Sequence, residues 1–381
     1  MKVNIFSENP INYFGGGEKI IILLANYLTS SGFEVTVFEP DPSNTFLRVD
    51  DSEIEDLISF SRQKLKFQTS KYHSPLTQNF PFLQDLNKEA ISLILIRRFP
   101  RTKYVRELKK SNRRVLFCIH GITLEPLKIF NPLILLHQLY MRLTIGNFSK
   151  ELSDQSSVHA QVLTIGMKNA LLTHGASQHK VHVIPNGIAS TRHMAVRNDE
   201  KFYVVFMGRI ENTIKGINRL KRVLLITARK EPLIRFFIMG TGRDSRLMND
   251  LPSNTQYLGF VDENERSRIL ANSNLMLITS NLDPFPLTLL EGLGSGLPFV
   301  STPISPARHI LSINNEVGLA GSFSPRQISV EIGQFYKRWL ENKEAYFKFR
   351  CRVKAFQERY FEETDMMNGY LDVINMMDQQ H

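Results

Sequence analysis

Asp283-Pro284-Phe285-Pro286-Leu287-Thr288-Leu289-Leu290-Glu291, with Gly292 next and Leu297-Pro298-Phe299-Val300 shortly after, carries more of the reading than any other stretch. The two prolines confine its opening to a loop, and the apolar run behind them predicts a helix beginning near Leu287. Asp283 then stands in the loop and Glu291 in the first helical turns, both predicted to face one cleft. At the helix start the N–H groups of Leu287 and Thr288 have no partner within the helix, which makes a ready anion site. Carboxylates suit hydroxyl groups and free amides suit phosphate, so the ligand expected here carries both.

Working outward, short β-rich apolar runs alternate with helical patterns along the whole chain, the mark of parallel sheets with crossover helices. The first-half runs are Val3–Phe6, Val35–Phe38, Leu93–Ile96, Val115–Ile119 and Val158–Leu163. Those of the second half are Tyr203–Met207, Ile234–Met239, Leu275–Thr279 and Pro298–Ser301. Val183-Ile184-Pro185-Asn186-Gly187-Ile188 holds a turn signal and precedes a polar stretch, residues 191–201, so a domain junction is expected there. The fold class is α/β, with two Rossmann-like doubly wound domains. Ligands of such sheets bind beyond the carboxyl ends of the strands.

With 381 residues and a 42% hydrophobic share, the chain is long enough for two separate cores. Its net charge of +10 favours an acidic partner. The excess is concentrated in Arg97–Arg114, where nine Lys and Arg face one acid, Glu107. That run reads either as a solvated helix face or as a patch held against an anionic membrane. The most apolar long stretch, 129–145, is broken by Asn131, Pro132, His137, Gln138 and Arg142, too polar to span a bilayer. It predicts a buried helix or an interfacial amphipathic one. Only Cys118 and Cys351 occur, so no disulfide framework is expected. Met1–Phe6 reads as a short strand rather than a leader. A cytoplasmic protein, soluble or peripheral on the cytoplasmic membrane face, is the expectation.

Further elements cap strands. Gly208-Arg209 leaves a strand end and Lys215-Gly216 is predicted to start the next helix, so two cations can converge on one phosphate cluster. Gly15-Gly16-Gly17-Glu18 is a glycine turn entering a helix, where backbone can approach a phosphate or sugar. His120 closes the strand Val115–Ile119. Gly240-Thr241-Gly242 follows Ile234–Met239, and Gly259-Phe260-Val261 precedes a helix predicted over Glu263–Ala271.

Taken together, these motifs resemble the donor-binding elements of glycosyltransferase family 4, whose acidic signature is Glu, seven residues, Glu. Here the first acid is Asp283, and Pro284 and Pro286 stand where glycines are common. The resemblance implies the GT-B arrangement, two doubly wound domains facing across a cleft. It sets the domains at 1–183 on the acceptor side and 184–355 on the nucleotide-sugar side, with 356–381 as a C-terminal helix returning to the first. It implies retaining transfer of a hexose-type sugar from a UDP- or GDP-linked donor to an acceptor hydroxyl on a glycan or lipid-linked glycan. Neither a cofactor nor a metal is implied, and no nucleic acid. By the same resemblance Arg209 and Lys215 hold the diphosphate, Asp283 and His120 the transferred sugar, and Glu291 the ribose. Gly16, Gly17, Gly208, Gly240, Gly242, Phe260, Phe285, Pro286, Leu287 and Thr288 then line the donor. Competing readings are a nucleotide-sugar epimerase and a non-catalytic sugar-nucleotide-binding partner subunit. A nucleic-acid binder rests on the basic run alone, whose only interleaved aromatics are Phe99 and Tyr104.

Overall fold

The computed structural model describes residues 1–11, 16–40, 65–70, 86, 88–124, 132–189, 196–197 and 200–379. Gly15, residues 125–131 and most of the polar stretch 191–201 fall outside them. The chain divides into two compact units, Met1–Pro185 with Met366–His381, and Asn186–Asp365. The second crossing therefore comes later than the expected 356.

In the first unit the elements run β1 (Lys2–Phe6), α1 (Gly16–Ser30), β2 (Glu34–Pro40), β3 (Lys66–Ser70), β4 (Ala90–Ile96), α2 (Thr102–Lys110), β5 (Val115–Ile119), α3 (Pro132–Glu151), β6 (Val158–Val162), α4 (Ile165–Thr173) and β7 (Val181–Val183). The strands make one parallel sheet in the order β3-β2-β1-β4-β5-β6-β7. Ala-Ile-Ser-Leu-Ile-Leu-Ile in β4 is buried at every position, as a strand covered by helices on both faces requires. Tyr104, Val105 and Leu108 turn the inner face of α2 onto the sheet. Phe148 of α3 packs on Phe99 and Phe117, with centroids 5.2 and 5.6 Å away.

The second unit runs β8 (Tyr203–Met207), α5 (Asn212–Lys215), α6 (Ile217–Lys230), β9 (Arg235–Met239), β10 (Thr255–Gly259), α7 (Glu263–Asn272), β11 (Leu275–Ile278), α8 (Leu287–Gly294), β12 (Phe299–Ser301), α9 (Ser305–Ile313), β13 (Gly318–Leu319), α10 (Pro325–Glu341) and α11 (Lys343–Tyr360). Its parallel sheet has the order β10-β9-β8-β11-β12-β13. Asp262 caps α7 by accepting from the Glu265 N–H at 2.8 Å. A last helix, α12 (Glu363–Gln379), carries the chain back to the first unit, where Met366, Met367, Tyr370, Ile374 and Met377 are buried.

In both sheets the order reverses beside the first strand, between β1 and β4 and again between β8 and β11. Loops leaving such a pair diverge and open a crevice at the carboxyl edge. That rule places Arg209, Lys215 and Asp283 at one switch point and Glu8, Glu18 and Arg97 at the other.

Candidate active site

The second switch point is built around an ion pair. Lys215 Nζ donates to Asp283 Oδ2 at 2.5 Å, and the Ser280 hydroxyl lies 3.4 Å from the same oxygen. Both charged side chains are largely shielded from water. The sequence placed Lys215 at the start of a helix; instead it closes the single turn α5, and Gly216 separates it from α6. Gly216 has φ +67°, and a Cβ there would lie 2.2 Å from the Thr279 carbonyl oxygen, so only glycine lets the corner sit against the loop after β11. Further bonds stitch corner to loop. Thr279 Oγ1 donates to the Lys215 carbonyl at 2.8 Å, and the Asn281 N–H to that of Ile214 at 2.7 Å.

Arg219, one turn beyond Lys215, holds the same loop. Its guanidinium donates to the carbonyls of Thr279 (2.6 Å) and Phe323 (3.0 Å) and to Asn281 Oδ1 (2.8 Å). Burial lowers its pKa to about 10, so it stays charged at neutral pH. No motif marked Arg219 or Asn281; the one signal available was the i, i+4 spacing from Lys215.

Arg209 is half exposed beyond β8 and lies 3.6 Å from Glu211, which also takes Arg243 at 2.8 Å. Arg243, directly after the second glycine turn, is a cation that the sequence reading left out. Gly208 packs against the Lys215 side chain, with a Cβ position 3.5 Å from Cε. A Cβ on Gly240, at φ +122°, would stand 2.0 Å from the Gly208 carbonyl oxygen. Gly242 approaches the Ile210 carbonyl in the same way. Phe260 projects from the end of β10, 55% exposed.

As expected, α8 opens at Leu287, with Pro286 at its N-cap and no side-chain cap. Phe285 is buried, its carbonyl accepting from Asn186 Nδ2 at 3.0 Å. It meets the His309 ring edge-on at 6.1 Å. Both ring nitrogens of His309 are buried without a hydrogen-bond partner, and burial lowers its pKa. Glu291 lies 3.9 Å from Arg266 of α7, which also pairs with Glu263. The two acids of the signature thus have separate cationic partners. Behind α8, the buried Arg350 guanidinium donates to the carbonyls of Gly296 (3.1 Å), Ala271 (3.1 Å) and Val196 (2.9 Å). It fixes the ends of α7 and α8 that face away from the site, another role no motif revealed.

In the first unit, Gly16 and Gly17 form the first turn of α1, and a Cβ on Gly17 would meet nothing within 4 Å. Next in that helix, the buried Glu18 accepts from Arg97 at 2.9 Å and from Asn9 at 2.7 Å. His120 is tied to the returning helix, its Nε2 lying 2.8 Å from the Tyr370 hydroxyl. Burial lowers its pKa to about 4, with the Arg97 charge adding to that shift and the Gln161 side chain opposing it. The basic run is no uniform cationic face. Arg97 pairs with Glu18, Arg106 and Lys109 with Glu151, and Arg114 with Asp378.

Comparison with known proteins then fixes the family. The model described as Glycosyl transferases group 1 matches residues 190–350, and that described as Glycosyltransferase Family 4 matches residues 14–192. The chain belongs to the family 4-type glycosyltransferases. An uncharacterized 41.2 kDa protein of the cps region of Klebsiella pneumoniae is 23% identical over 211 residues, 52% of this chain and 56% of that protein. The chain spans about half the length of that curated relative, and 32% of a second one. Among solved structures, sucrose-phosphate synthase from Thermosynechococcus elongatus superposes with a TM-score of 0.72 at 13% identity, covering 100% of both chains. HepE of Anabaena, solved with UDP and glucose, superposes with a TM-score of 0.65 at 14% identity, covering 99% of this chain and 100% of that one. These likenesses show the two-domain α/β fold of a GT-B glycosyltransferase.

Proposed function

We propose that the chain is a retaining hexosyltransferase that moves a sugar from a UDP- or GDP-linked donor to an acceptor hydroxyl on a lipid-linked glycan at the cytoplasmic face of a membrane. The observation carrying the reading is the Lys215–Asp283 pair, where the order of the second sheet reverses. Arg209 follows β8 at this edge, and the uncapped start of α8 follows Asp283. An ammonium has three protons. One is spent on Asp283 Oδ2, leaving two for phosphate oxygens, while Asp283 Oδ1 remains for a sugar hydroxyl.

Arg209, Lys215 and the Leu287 and Thr288 amides then face the diphosphate. Charge gathers on it as its bond to the anomeric carbon breaks, and these groups stabilise the departing oxygen. The acceptor oxygen attacks from the face the diphosphate leaves, passing its proton to a donor phosphate oxygen, so the anomeric configuration is kept. Glu291, oriented by Arg266, takes the ribose hydroxyls, and the exposed ring of Phe260 stacks on the base. Gly208, Gly240 and Gly242 bring backbone close to the nucleotide, and the family resemblance assigns Gly16 and Gly17 to the donor as well. Phe285 and Pro286 shape the sugar pocket, and His120 is assigned to the transferred sugar. The neighbour solved with UDP and glucose supports the donor class.

Arg209→Ala is expected to lower kcat/KM roughly 10- to 100-fold, the loss of a charged hydrogen bond in the transition state. Nucleotide-sugar hydrolysis and product anomer, read by proton NMR, check both claims. Unchanged turnover removes the phosphate assignment, and an inverted product removes the retaining course.

A further inference from the structure

The outward face of α3 is unusual for a crossover helix. Its inner face buries Met141, Ile145 and Phe148 in the core, yet Leu136 (66% exposed), Leu139, Tyr140 and Leu143 (77% exposed) stand in solvent. Their spacing, i, i+3, i+4, i+7, aligns them in one stripe along the helix. A helix apolar on two sides normally buries both, and this one buries only the inner side.

Topology says where the stripe lies. α2 and α3 each lead from the carboxyl end of one strand to the start of the next, so they run side by side in the same direction. They are joined at Glu151, which takes Arg106 at 2.7 Å and Lys109 at 3.3 Å. At about 1.5 Å per residue, Leu143 and Leu136 lie roughly 12 and 22 Å before Glu151 along the axis, while α2 begins only about 6 Å before Arg106. The apolar stripe therefore projects past the start of α2, toward the carboxyl edge of the sheet that also carries His120. Arg101 and Lys103, at the start of α2, are exposed, and neither has a carboxylate partner among the described residues.

We propose that this stripe, flanked by Arg101 and Lys103, docks the first unit on an anionic lipid bilayer, with α3 lying in the headgroup region. The inference deepens the lipid-linked acceptor reading and rests on it, since a surface at the sheet edge would meet the acceptor where the membrane presents it. Leu and Tyr side chains enter the interface, and the two cations meet anionic headgroups. No helix among the described residues is long and apolar enough to cross a membrane, so the contact is with a surface. It narrows the membrane contact within the Arg97–Arg114 run, where Arg97, Arg106, Lys109 and Arg114 pair inside the fold, to Arg101 and Lys103, and joins them to the apolar stripe of α3.

Co-sedimentation tests it, using vesicles of phosphatidylcholine mixed with phosphatidylglycerol against phosphatidylcholine alone. The wild-type protein is expected to pellet with the anionic vesicles and to be released by salt. Leu136→Glu with Leu143→Glu should cut the bound fraction about tenfold or more, and Arg101→Glu with Lys103→Glu should abolish the preference for anionic lipid. These exposed substitutions should leave circular-dichroism melting and UDP binding unchanged. Wild-type protein remaining in the supernatant, or the double leucine variant pelleting like wild type, overturns the proposal. So does a wild-type dimer in light scattering that the leucine variant dissociates while vesicles bind neither, because a second copy then covers the stripe. UDP calorimetry is separate from sedimentation, so a failed donor reading and a failed docking surface give different results.

Discussion

Lys215 and Asp283 share one hydrogen bond, so neither can be altered without changing the other's electrostatics. Asp283→Ala leaves a shielded ammonium that only an incoming phosphate can neutralise. We expect transfer to fall about 10- to 100-fold while UDP affinity by calorimetry holds or tightens, as for a charged contact worth about 1.5–3 kcal/mol. A parallel loss of UDP affinity would contradict this division of labour. His120 presents a second residue-scale test. Burial keeps its ring neutral, and the Tyr370 hydroxyl fixes one nitrogen. Tyr370→Phe should cost about 1 kcal/mol of stability and shift the His120 ring signals in nitrogen-15 NMR. A ring spectrum identical to wild type would show that the hydroxyl does not set the tautomer.

Elements convey these effects through close backbone approaches. With φ +122° and the Gly208 carbonyl 2.0 Å from a would-be Cβ, Gly240→Ala must push apart the loops after β8 and β9. Destabilisation of about 2 kcal/mol or more, together with weakened UDP binding, is expected from denaturant titration and calorimetry. At the edge formed by β6 and β7, Lys180 Nζ donates to His159 Nε2 at 3.1 Å, so the His159 Nδ1 proton donates to His182 Nε2 at 3.0 Å. Burial, with the charges of Lys168 and Lys180, lowers the His182 pKa to about 4, and Asp154 opposes the matching shift of Lys180. Above pH ~6.5 neither folded nor unfolded chain binds this proton; between ~6.5 and ~4 only the unfolded chain does, so stability falls as pH falls. His182→Gln should flatten the Tm-against-pH curve in that window, and an unaltered slope would place the acid sensitivity elsewhere. Strands of continuous apolar sequence, such as Val115–Ile119 and Tyr203–Met207, were legible because they lie under helices on both faces. Lys66–Ser70 and Thr255–Gly259 were not, because edge strands carry polar residues that blur the pattern.

For the whole molecule, the first unit depends on the last helix. Met366, Met367, Tyr370, Ile374 and Met377 are buried there, Tyr27 donates to Asn368 at 2.5 Å, and Arg114 pairs with Asp378 at 2.6 Å. Deleting 366–381 removes about five core side chains worth roughly 1.5–3 kcal/mol each, enough to unfold a marginal unit. Limited proteolysis should then clip within 1–185 while 186–365 resists; equal resistance of both would refute that dependence. By itself the sequence determined the alternation of strands and helices, the two-domain class and the loop-to-helix signature, because apolar periodicity and proline act over a few residues. Only the tertiary structure decided that Lys215 answers Asp283, that Arg219 and Arg350 hold the frame, and that α3 turns leucines to solvent. Those contacts join residues far apart along the chain, and no local pattern encodes which of many cations or apolar faces the packing will bring together or leave bare.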